Sequence, residues 1–331
     1  MLHLIPQTNL DFVGARWKFF IFSTALMAAG AVSLATRGIR YGIDFTGGTL
    51  IQISFQRPIT LAELRKAADA GGLGDVALQS FAGTNTFSLR IQSDPNSSAE
   101  KLEQYLKTLQ TAVPNDHFIV DRKEYVGPVV GKHLFRQALW AVVLSLLGMI
   151  IYLAFRFDNP IWGFSGVIAL AHDVFLTYAL FSVLGLEVDL LIVTALLTIA
   201  GYSIHDTIVV FDRMREKMRL LRNAPLHGLI NDSMNETLSR TIITSMLVFV
   251  VVLILFIFGG KVIHNFALAM VFGVGFGTYS SVAIAAPLVY EWQVRHSRQR
   301  SSGAPAASPS AQGAPGVQGA QFRPKHQGRN R

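Results

Sequence analysis

Long apolar runs dominate the chain and are separated by shorter polar stretches. Each run is nearly free of charge and about 18 or more residues long, which is what an α-helix needs to cross a hydrocarbon core of about 30 Å. We therefore predict an α-helical polytopic membrane protein whose six transmembrane helices cover residues 19–36, 134–155, 161–184, 188–211, 234–258 and 264–290. The small residues Ala28–Ala31 leave open whether the first helix stays as an anchor or is cleaved as a signal peptide.

The charges between the runs predict the orientation. The connection between the third and fourth helices, Gly185–Asp189, is acidic. The connection between the fourth and fifth helices is basic and contains Arg213, Arg215, Lys217, Arg219 and Arg222. Because basic loops stay in the cytoplasm, we predict that residues 1–18 and the tail at 292–331 are cytoplasmic. Residues 37–133 then lie on the periplasmic side.

The periplasmic segment alternates between strand and helix patterns. Strand patterns cover residues 49–55, 76–81, 86–91 and 117–120, and helix patterns cover residues 61–70 and 98–113. The resulting order, β-α-β-β-α-β, is that of a ferredoxin-like α+β domain. We predict one such domain, inserted between the first and second membrane helices.

The amino-acid composition excludes several classes of function. Hydrophobic residues make up 51% of the chain and charged residues only 15%, against roughly 25% in a soluble domain. The absence of cysteine excludes disulfides, thiol catalysis and cysteine-ligated zinc. Part of the net charge of +8 lies in the tail, whose Ser, Ala, Pro and Gly content predicts disorder. We predict no cofactor and no nucleic-acid partner; contact of the tail with anionic lipid or a ribosomal surface is a secondary alternative.

Several ionisable residues fall inside the predicted membrane helices. His172 and Asp173 lie in the third helix, His205 and Asp206 in the fourth, and Arg240 in the fifth. Each costs roughly 2.5 to 3.5 kcal/mol to hold in lipid, so such residues are candidates for a functional site.

Helical rise predicts their depths. At 1.5 Å per residue, Asp206 and Arg240 each lie about 9 to 10 Å inside the cytoplasmic end of their helices. We therefore expect them to pair, with Asp206 either ionised and bound to Arg240 or neutral and released. Asp173 is expected about 9 Å nearer the outside.

Hydroxyl side chains accompany these charges. Tyr202 and Ser203 share a face with Asp206, and Thr237 and Thr241 share a face with Arg240. Together they predict a proton pathway. The alternative is a set of polar contacts that only orient the helices. No ligand spacing for a metal is present.

Five ordered motifs carry a family resemblance. They are Tyr41-Gly-Ile-Asp-Phe-Thr-Gly-Gly-Thr49, Val126-Gly-Pro-Val-Val-Gly131, Ala171-His-Asp-Val174, Gly201–Arg213 and Asn235–Thr241. They resemble the motifs of the SecD/SecF family of protein-export subunits, which is related to the resistance-nodulation-division exporters. The chain departs from the family pattern at His205, where relatives usually carry Asn.

The resemblance implies a function and partners. It implies a subunit in the bacterial inner membrane that pairs with SecD, works beside SecYEG and YajC, and uses the proton-motive force to move preproteins outward. It implies no covalent catalytic site, and it matches Asp206 and Arg240 to positions linked to proton passage. A conformational link to the outer domain is then expected at Asp44, Thr46, Gly47, Gly48, Gly127 and Pro128.

Two other functions compete. The chain could instead be one half of a small-molecule or lipid exporter of the same superfamily, which would have the same membrane helices. However, about 100 residues outside the membrane are few for a drug-binding domain. The short motif Gly163-Phe-Ser-Gly166 matches rhomboid proteases. However, only His264 is available in the last helix as a base for Ser165, so the protease hypothesis is weak.

Overall fold

The computed structural model describes residues 8–70, 76–80, 85–91, 99–112, 118–157, 159–221 and 224–302. Its helices are α1 Arg16–Arg37, α2 Ile43–Thr46, α3 Leu61–Ala70, α4 Ala99–Ala112, α5 Pro128–Arg156, α6 Pro160–Leu184, α7 Leu190–Leu220, α8 Leu226–Phe258, α9 Gly260–Ser280 and α10 Ala286–Ser302. Its strands are β1 Arg40–Tyr41, β2 Gly48–Phe55, β3 Ala77–Ser80, β4 Thr86–Ile91, β5 Phe118–Val126 and β6 Glu187–Val188. The tail predicted to be disordered covers residues 292–331, but α10 continues as a helix to Ser302. From position 303 onward the tail lies outside the described residues.

Six helices are long and apolar enough to cross a membrane, which confirms the predicted number. They are α1, α5, α6, α7, α8 and a last span, Val262–His296, that combines α9 and α10. A π-helical turn at Ser281–Ala285 joins these two helices. Pro287 lies just beyond the turn and lacks the N–H that a regular helix would need there, which accounts for the break in the hydrogen-bond ladder.

The fifth span starts earlier than predicted. α8 begins at Leu226, and Ser233, taken from the sequence as a helix start, lies inside the helix and donates a hydrogen bond to the Leu229 carbonyl. Close to this start, α8 is tied to the neighbouring α7 by ion pairs. Glu236 pairs with Lys217 at 2.7 Å and with Arg213 at 2.5 Å.

The segment between α1 and α5 forms the predicted ferredoxin-like domain. Its four strands are ordered β3-β4-β2-β5, and all neighbouring pairs are antiparallel. The apolar core between the sheet and the helices is built around Ile51, Ile53, Leu64, Phe87, Leu89 and Leu109. β5 runs on to Val126, well past the predicted end at residue 120, and leads through Gly127 directly into α5.

The N-terminus of α3 is capped as the sequence predicts. Thr60 and Glu63 exchange side-chain to backbone hydrogen bonds of 2.8 and 3.2 Å. These hydrogen bonds hold the pKa of the Glu63 carboxyl below its usual value, and the side chain itself is fully exposed.

The membrane helices pack around α7. α6, α7 and the last span are half buried or more, whereas α1, α5 and α8 are mostly exposed. Small residues allow the last span to approach α7 closely: a methyl group added to Gly273 would lie 2.2 Å from Ile199 Cδ1. Gly277 lies next to Ser203 in the same way, at 3.2 Å. The spacing of the two glycines, four residues apart, is typical of closely packed membrane helices.

Candidate functional site

Asp173 lies at the centre of a buried hydrogen-bond cluster between three helices. Its side chain is completely buried. One carboxylate oxygen, Oδ2, accepts hydrogen bonds of 2.6 Å from both Ser203 of α7 and Ser280 of α9. The other, Oδ1, lies 2.9 Å from Nδ1 of His172. The structure therefore brings together His172, Asp173 and Ser203, three of the residues that the sequence singled out.

Asp206 forms a second cluster on α7. It is 2% exposed, and its Oδ2 accepts a hydrogen bond of 3.2 Å from Ser245 of α8. Ser245 in turn accepts one of 2.8 Å from Thr278 of α9. Nδ1 of His205 lies 3.9 Å from Asp206 Oδ1. The hydrogen bond to the Asp206 carboxylate therefore comes from the Ser245 hydroxyl, which Thr278 in turn supports.

The predicted direct pair between Asp206 and Arg240 is absent from the residues that the structure describes. Positions of α8 that face the bundle recur every four residues, at Thr237, Thr241 and Ser245, and all three are buried. Arg240 precedes Thr241 and so points about 100° away around the helix, where it is exposed. Similar depth does not bring two side chains together unless their faces also meet.

The two carboxylates are closer in depth than predicted. Ser203 binds Asp173 and lies three residues, or about 4.5 Å of helix rise, before Asp206. Thr207, one residue beyond Asp206, donates to the Ser203 carbonyl and shares a 3.1 Å contact with Ser281. α7 and the last span therefore join the two clusters through hydroxyl groups.

Thr207 of α7 and three residues of the last span belong to this network and were missed by the sequence reasoning. Thr278, Ser280 and Ser281 lie together in the last span, just before or within the π-helical turn. π-Helical turns within α-helices occur frequently at functional sites. The signal was present as a short polar group, Thr278-Tyr-Ser-Ser281, inside an otherwise apolar helix, where hydroxyl groups need partners.

Some buried polar atoms near the carboxylates have no partner among the described residues. They are Nε2 of His172, the hydroxyl of Tyr202 and Oγ1 of Thr241. Among the described residues, the Thr237 hydroxyl bonds within its own helix, to the Ser233 and Met234 carbonyls. Unpaired buried polar groups are costly and are commonly satisfied by bound water. The predicted pathway residues therefore lie in surroundings suited to water.

A polar cavity lies beside Arg240, between α7 and α8. It has a volume of about 580 Å³ and is lined by Val209, Asp212, Arg213, Glu216, Glu236, Thr237 and Arg240. Val209 lies three residues beyond Asp206 on α7, so the cavity reaches within about one turn of that carboxylate.

The glycine-rich segment after α1 packs against the start of α5. Gly47 and Gly48 both have positive φ, 74° and 132°. A methyl group on Gly47 would lie 2.9 Å from Pro128 Cα, and one on Gly131 would lie 2.9 Å from the Gly47 nitrogen. The structure thus brings together Gly47, Gly48 and Pro128 of the predicted link, with Gly127 immediately before Pro128.

The same segment is tied to α7. Strand β1 pairs in parallel with β6 in the α6–α7 connection. Asp44 accepts a hydrogen bond of 2.9 Å from the backbone N–H of Leu190, at the first turn of α7. Arg90 of the ferredoxin-like domain donates to the Tyr41 carbonyl at 2.6 Å and to the Thr46 hydroxyl, and lies 3.4 Å from Glu187. These contacts connect the ferredoxin-like domain to the helix that carries Asp206.

Asp189 caps α7 beside Asp44. Its carboxylate accepts a hydrogen bond of 3.0 Å from the Ile192 N–H. Burial and the nearby Asp44 charge raise the pKa of Asp189, although the cap and Arg122 oppose the shift. Among the described residues, no group of three or more His, Asp or Glu side chains has an arrangement that would hold a metal.

Comparisons with known proteins agree with this architecture. Residues 105–295 match the family "Protein export membrane protein SecD/SecF, C-terminal", and residues 32–59 match the "SecD/SecF GG Motif". Protein translocase subunit SecF of Endomicrobium trichonymphae is 40% identical over 90% of this chain and 96% of its own length. The same subunit of Magnetococcus marinus is 43% identical over 86% and 92%.

A solved structure is also similar. The crystal structure of SecDF from Thermus thermophilus, a translocon-associated membrane protein, superposes with a TM-score of 0.79 at 35% identity. The match covers 89% of this chain but 40% of the SecDF chain, so this chain corresponds to about two fifths of that protein.

Proposed function

Because the chain belongs to the SecD/SecF family of protein-export membrane proteins, we propose that it acts as the SecF-type subunit of a bacterial Sec translocase. With SecD, it uses the proton-motive force to promote late steps of preprotein export. The exporter alternative is not favoured, because the relatives that match along nearly their whole length are translocase subunits.

One observation carries the proton-coupling part of the proposal. Asp206 is a buried carboxylate inside a membrane span, hydrogen-bonded by the Ser245 hydroxyl and reached to within about one turn by a polar cavity. Such a group can take up a proton from one side and release it to the other. Asp173 and His172 form a second station, which Ser203 places within about one helical turn of the first.

Helix α7 transmits the effect of Asp206 protonation to the ferredoxin-like domain. Asp206 lies sixteen residues, or about 24 Å, from Leu190, where Asp44 holds the helix N-terminus. A shift of α7 that follows protonation therefore moves the glycine-rich segment and, through Arg90, the outer domain. One charge crossing 100 mV supplies about 2.3 kcal/mol, so a few protons suffice for such a movement.

The face that binds SecD lies on α7. Its exposed positions follow helical spacing and are small or polar, namely Thr194, Thr198, Gly201 and His205. Side chains of this kind pack against another helix rather than lipid. Arg240 is also exposed, and an arginine at this depth is costly in lipid unless a partner protein covers it. SecYEG, YajC and the preprotein are the further partners we propose.

We place the protein in the bacterial inner membrane with both termini in the cytoplasm and the ferredoxin-like domain in the periplasm. The basic inner end of α7, with Arg213, Arg215, Lys217 and Arg219, supports this orientation. Because the chain has no cysteine, single substitutions test it. An impermeant maleimide should label Asp69→Cys in intact cells and should label Asp232→Cys only after the membrane is opened; the reverse pattern contradicts the orientation.

The function is tested by Asp206→Asn in cells depleted of the native subunit. Asp232→Asn is the matched control, because it makes the same change at an exposed position of the neighbouring α8. Both variants must assemble in the membrane and copurify with SecD. We expect Asp206→Asn to export a secreted reporter at the depleted level and to lose the response to the proton gradient, while the control does neither. Wild-type export by Asp206→Asn would exclude Asp206 as the proton carrier.

A further inference from the structure

An apolar groove separates α5 from the rest of the bundle. Its volume is about 510 Å³, and its walls are almost entirely apolar side chains of α5, α6 and α7. α5 is the least buried of the six membrane helices. We propose that this groove binds one acyl chain of an anionic phospholipid, with the lipid phosphate held by Lys132 and Arg136. The proposal rests on the orientation given above, which places the start of α5 at the outer leaflet.

The dimensions of the groove fit a lipid tail. Along α5 its lining runs from Phe135 to Ile150, fifteen residues apart, which corresponds to about 22 Å of helix. One leaflet contributes about half of the 30 Å hydrocarbon core, so the groove takes the full depth of a tail. At membrane depth the surrounding solvent is hydrocarbon, and an acyl chain fills an apolar groove without exposing any polar group of the protein.

The outer end of the groove is lined by aromatic rings and hydroxyl groups, whereas its walls are aliphatic for most of their length. Tyr41, Phe45 and Phe135 pack edge to face there, with ring centroids 5.6 to 6.1 Å apart. The hydroxyls of Tyr41 and Tyr178 lie 3.3 Å from each other at the same end. Aromatic rings with a polar edge are typical of the level where acyl chains meet headgroups. This marks the end at which a headgroup belongs.

Two cations lie at this end. Lys132 and Arg136 are one turn apart on α5, beside the face that Phe135 and Leu139 present to the groove; Lys132 lies about one turn before Phe135, and Arg136 follows Phe135 directly. Both are exposed, and neither forms an ion pair with a residue that the structure describes. Basic residues at the outer end of a membrane helix run against the positive-inside bias, so they require another explanation. A phosphate bound by a lysine and an arginine supplies it.

A lipid in this groove contacts the conformational link. Tyr41 and Phe45 belong to the glycine-rich segment, and Val174 of α6 follows Asp173 directly. The tail therefore fills the space between α5, which continues from the outer domain, and the helix that carries one of the buried carboxylates. Anionic lipid then braces α5 during the movement of the outer domain.

The experiment counts lipids on the purified full-length protein by native mass spectrometry. The protein is titrated with phosphatidylglycerol and, separately, with phosphatidylcholine that has the same tails. We expect one phosphatidylglycerol to bind about tenfold more tightly than phosphatidylcholine. The double variant Lys132→Gln, Arg136→Gln should lose this preference, while Lys18→Gln, at the other end of a membrane helix, should keep it.

A groove-filling variant tests the tail. Ala171→Phe, which adds a ring inside the groove, should weaken both lipids, whereas Ile151→Phe, on the exposed outer side of α5, should change neither. Equal affinity of wild type and the double variant for phosphatidylglycerol would overturn the proposal. It would also fail if Ala171→Phe kept lipid binding and lost SecD, since a partner helix would then occupy the groove. Lipid binding is measured without export, so its failure leaves the proposed function standing.

Discussion

The contact between the glycine-rich segment and the start of α5 gives a quantitative prediction. Gly47 and Gly38 occupy nearly the same backbone region, with φ and ψ of 74° and 164° and of 68° and −162°. They differ in space: a methyl group on Gly47 meets Pro128 Cα at 2.9 Å, while one on Gly38 meets nothing within 4 Å. Comparing Gly47→Ala with Gly38→Ala therefore separates backbone strain from steric overlap.

The magnitudes follow from these contacts. The positive φ costs each alanine variant about 1 to 3 kcal/mol. Gly47→Ala loses roughly a further 1 to 3 kcal/mol of stability, because the backbone of Pro128 has to shift to make room for the methyl group. Gly127→Ala is the second control, since Gly127 has an ordinary φ of −66° and open space around it. We expect it to be neutral or slightly stabilising.

The assay is thermal unfolding of the purified protein in detergent, together with export in depleted cells. Each kcal/mol corresponds to roughly 2 to 4 °C, so the midpoint of Gly47→Ala should lie roughly 5 °C below that of Gly38→Ala. Export should fall most in Gly47→Ala. Equal midpoints for the two variants would refute the argument from close packing, and an equally damaged Gly127→Ala would show that the segment tolerates no added methyl group.

Three further predictions concern the link and the buried carboxylates. Arg90→Met should expose the outer domain to trypsin and reduce export, because it removes hydrogen bonds worth about 1.5 to 3 kcal/mol, while the exposed Arg65→Met should do neither; unchanged cleavage would remove Arg90 from the link. Asp189→Asn keeps the cap of α7 without a charge, and Asp189→Ala should lose about 1 kcal/mol of stability. Because the pKa of Asp189 is raised in the folded state, its contribution to stability falls as the pH rises above the ordinary value of 3.8. The stability advantage of Asp189→Asn over wild type should therefore grow with rising pH. Thermal midpoints measured across pH check this, and a disadvantage that grows with pH would contradict it. Ser280→Ala should reduce gradient-driven export roughly tenfold while the protein still assembles, and Ser280→Thr, which keeps the hydroxyl, should restore it; failure of both variants alike would indicate a packing role.

Some residues of the candidate site could be found from the sequence, because charged side chains are rare inside membrane helices. Asp173 and Asp206 stand out in helices that otherwise contain almost no charge, and the glycine pair at Gly47 and Gly48 stands out by composition. Ser280 did not stand out in the sequence, because serine is common in membrane helices. Its place in the site becomes visible only through its hydrogen bond to Asp173. The pair predicted between Asp206 and Arg240 was wrong in geometry because helical rise predicts depth but not the direction in which a side chain points.

Properties carried by neighbouring residues, such as apolar run length and period, determined the six spans and the strand and helix order of the ferredoxin-like domain. Tertiary structure decided which groups meet. Asp173 finds Ser203 and Ser280 because α6, α7 and the last span pack closely at glycines, and Arg90 reaches Glu187 because β1 and β6 pair. Those contacts join residues more than 25 positions apart in the chain, where local periodicity carries no information about distance.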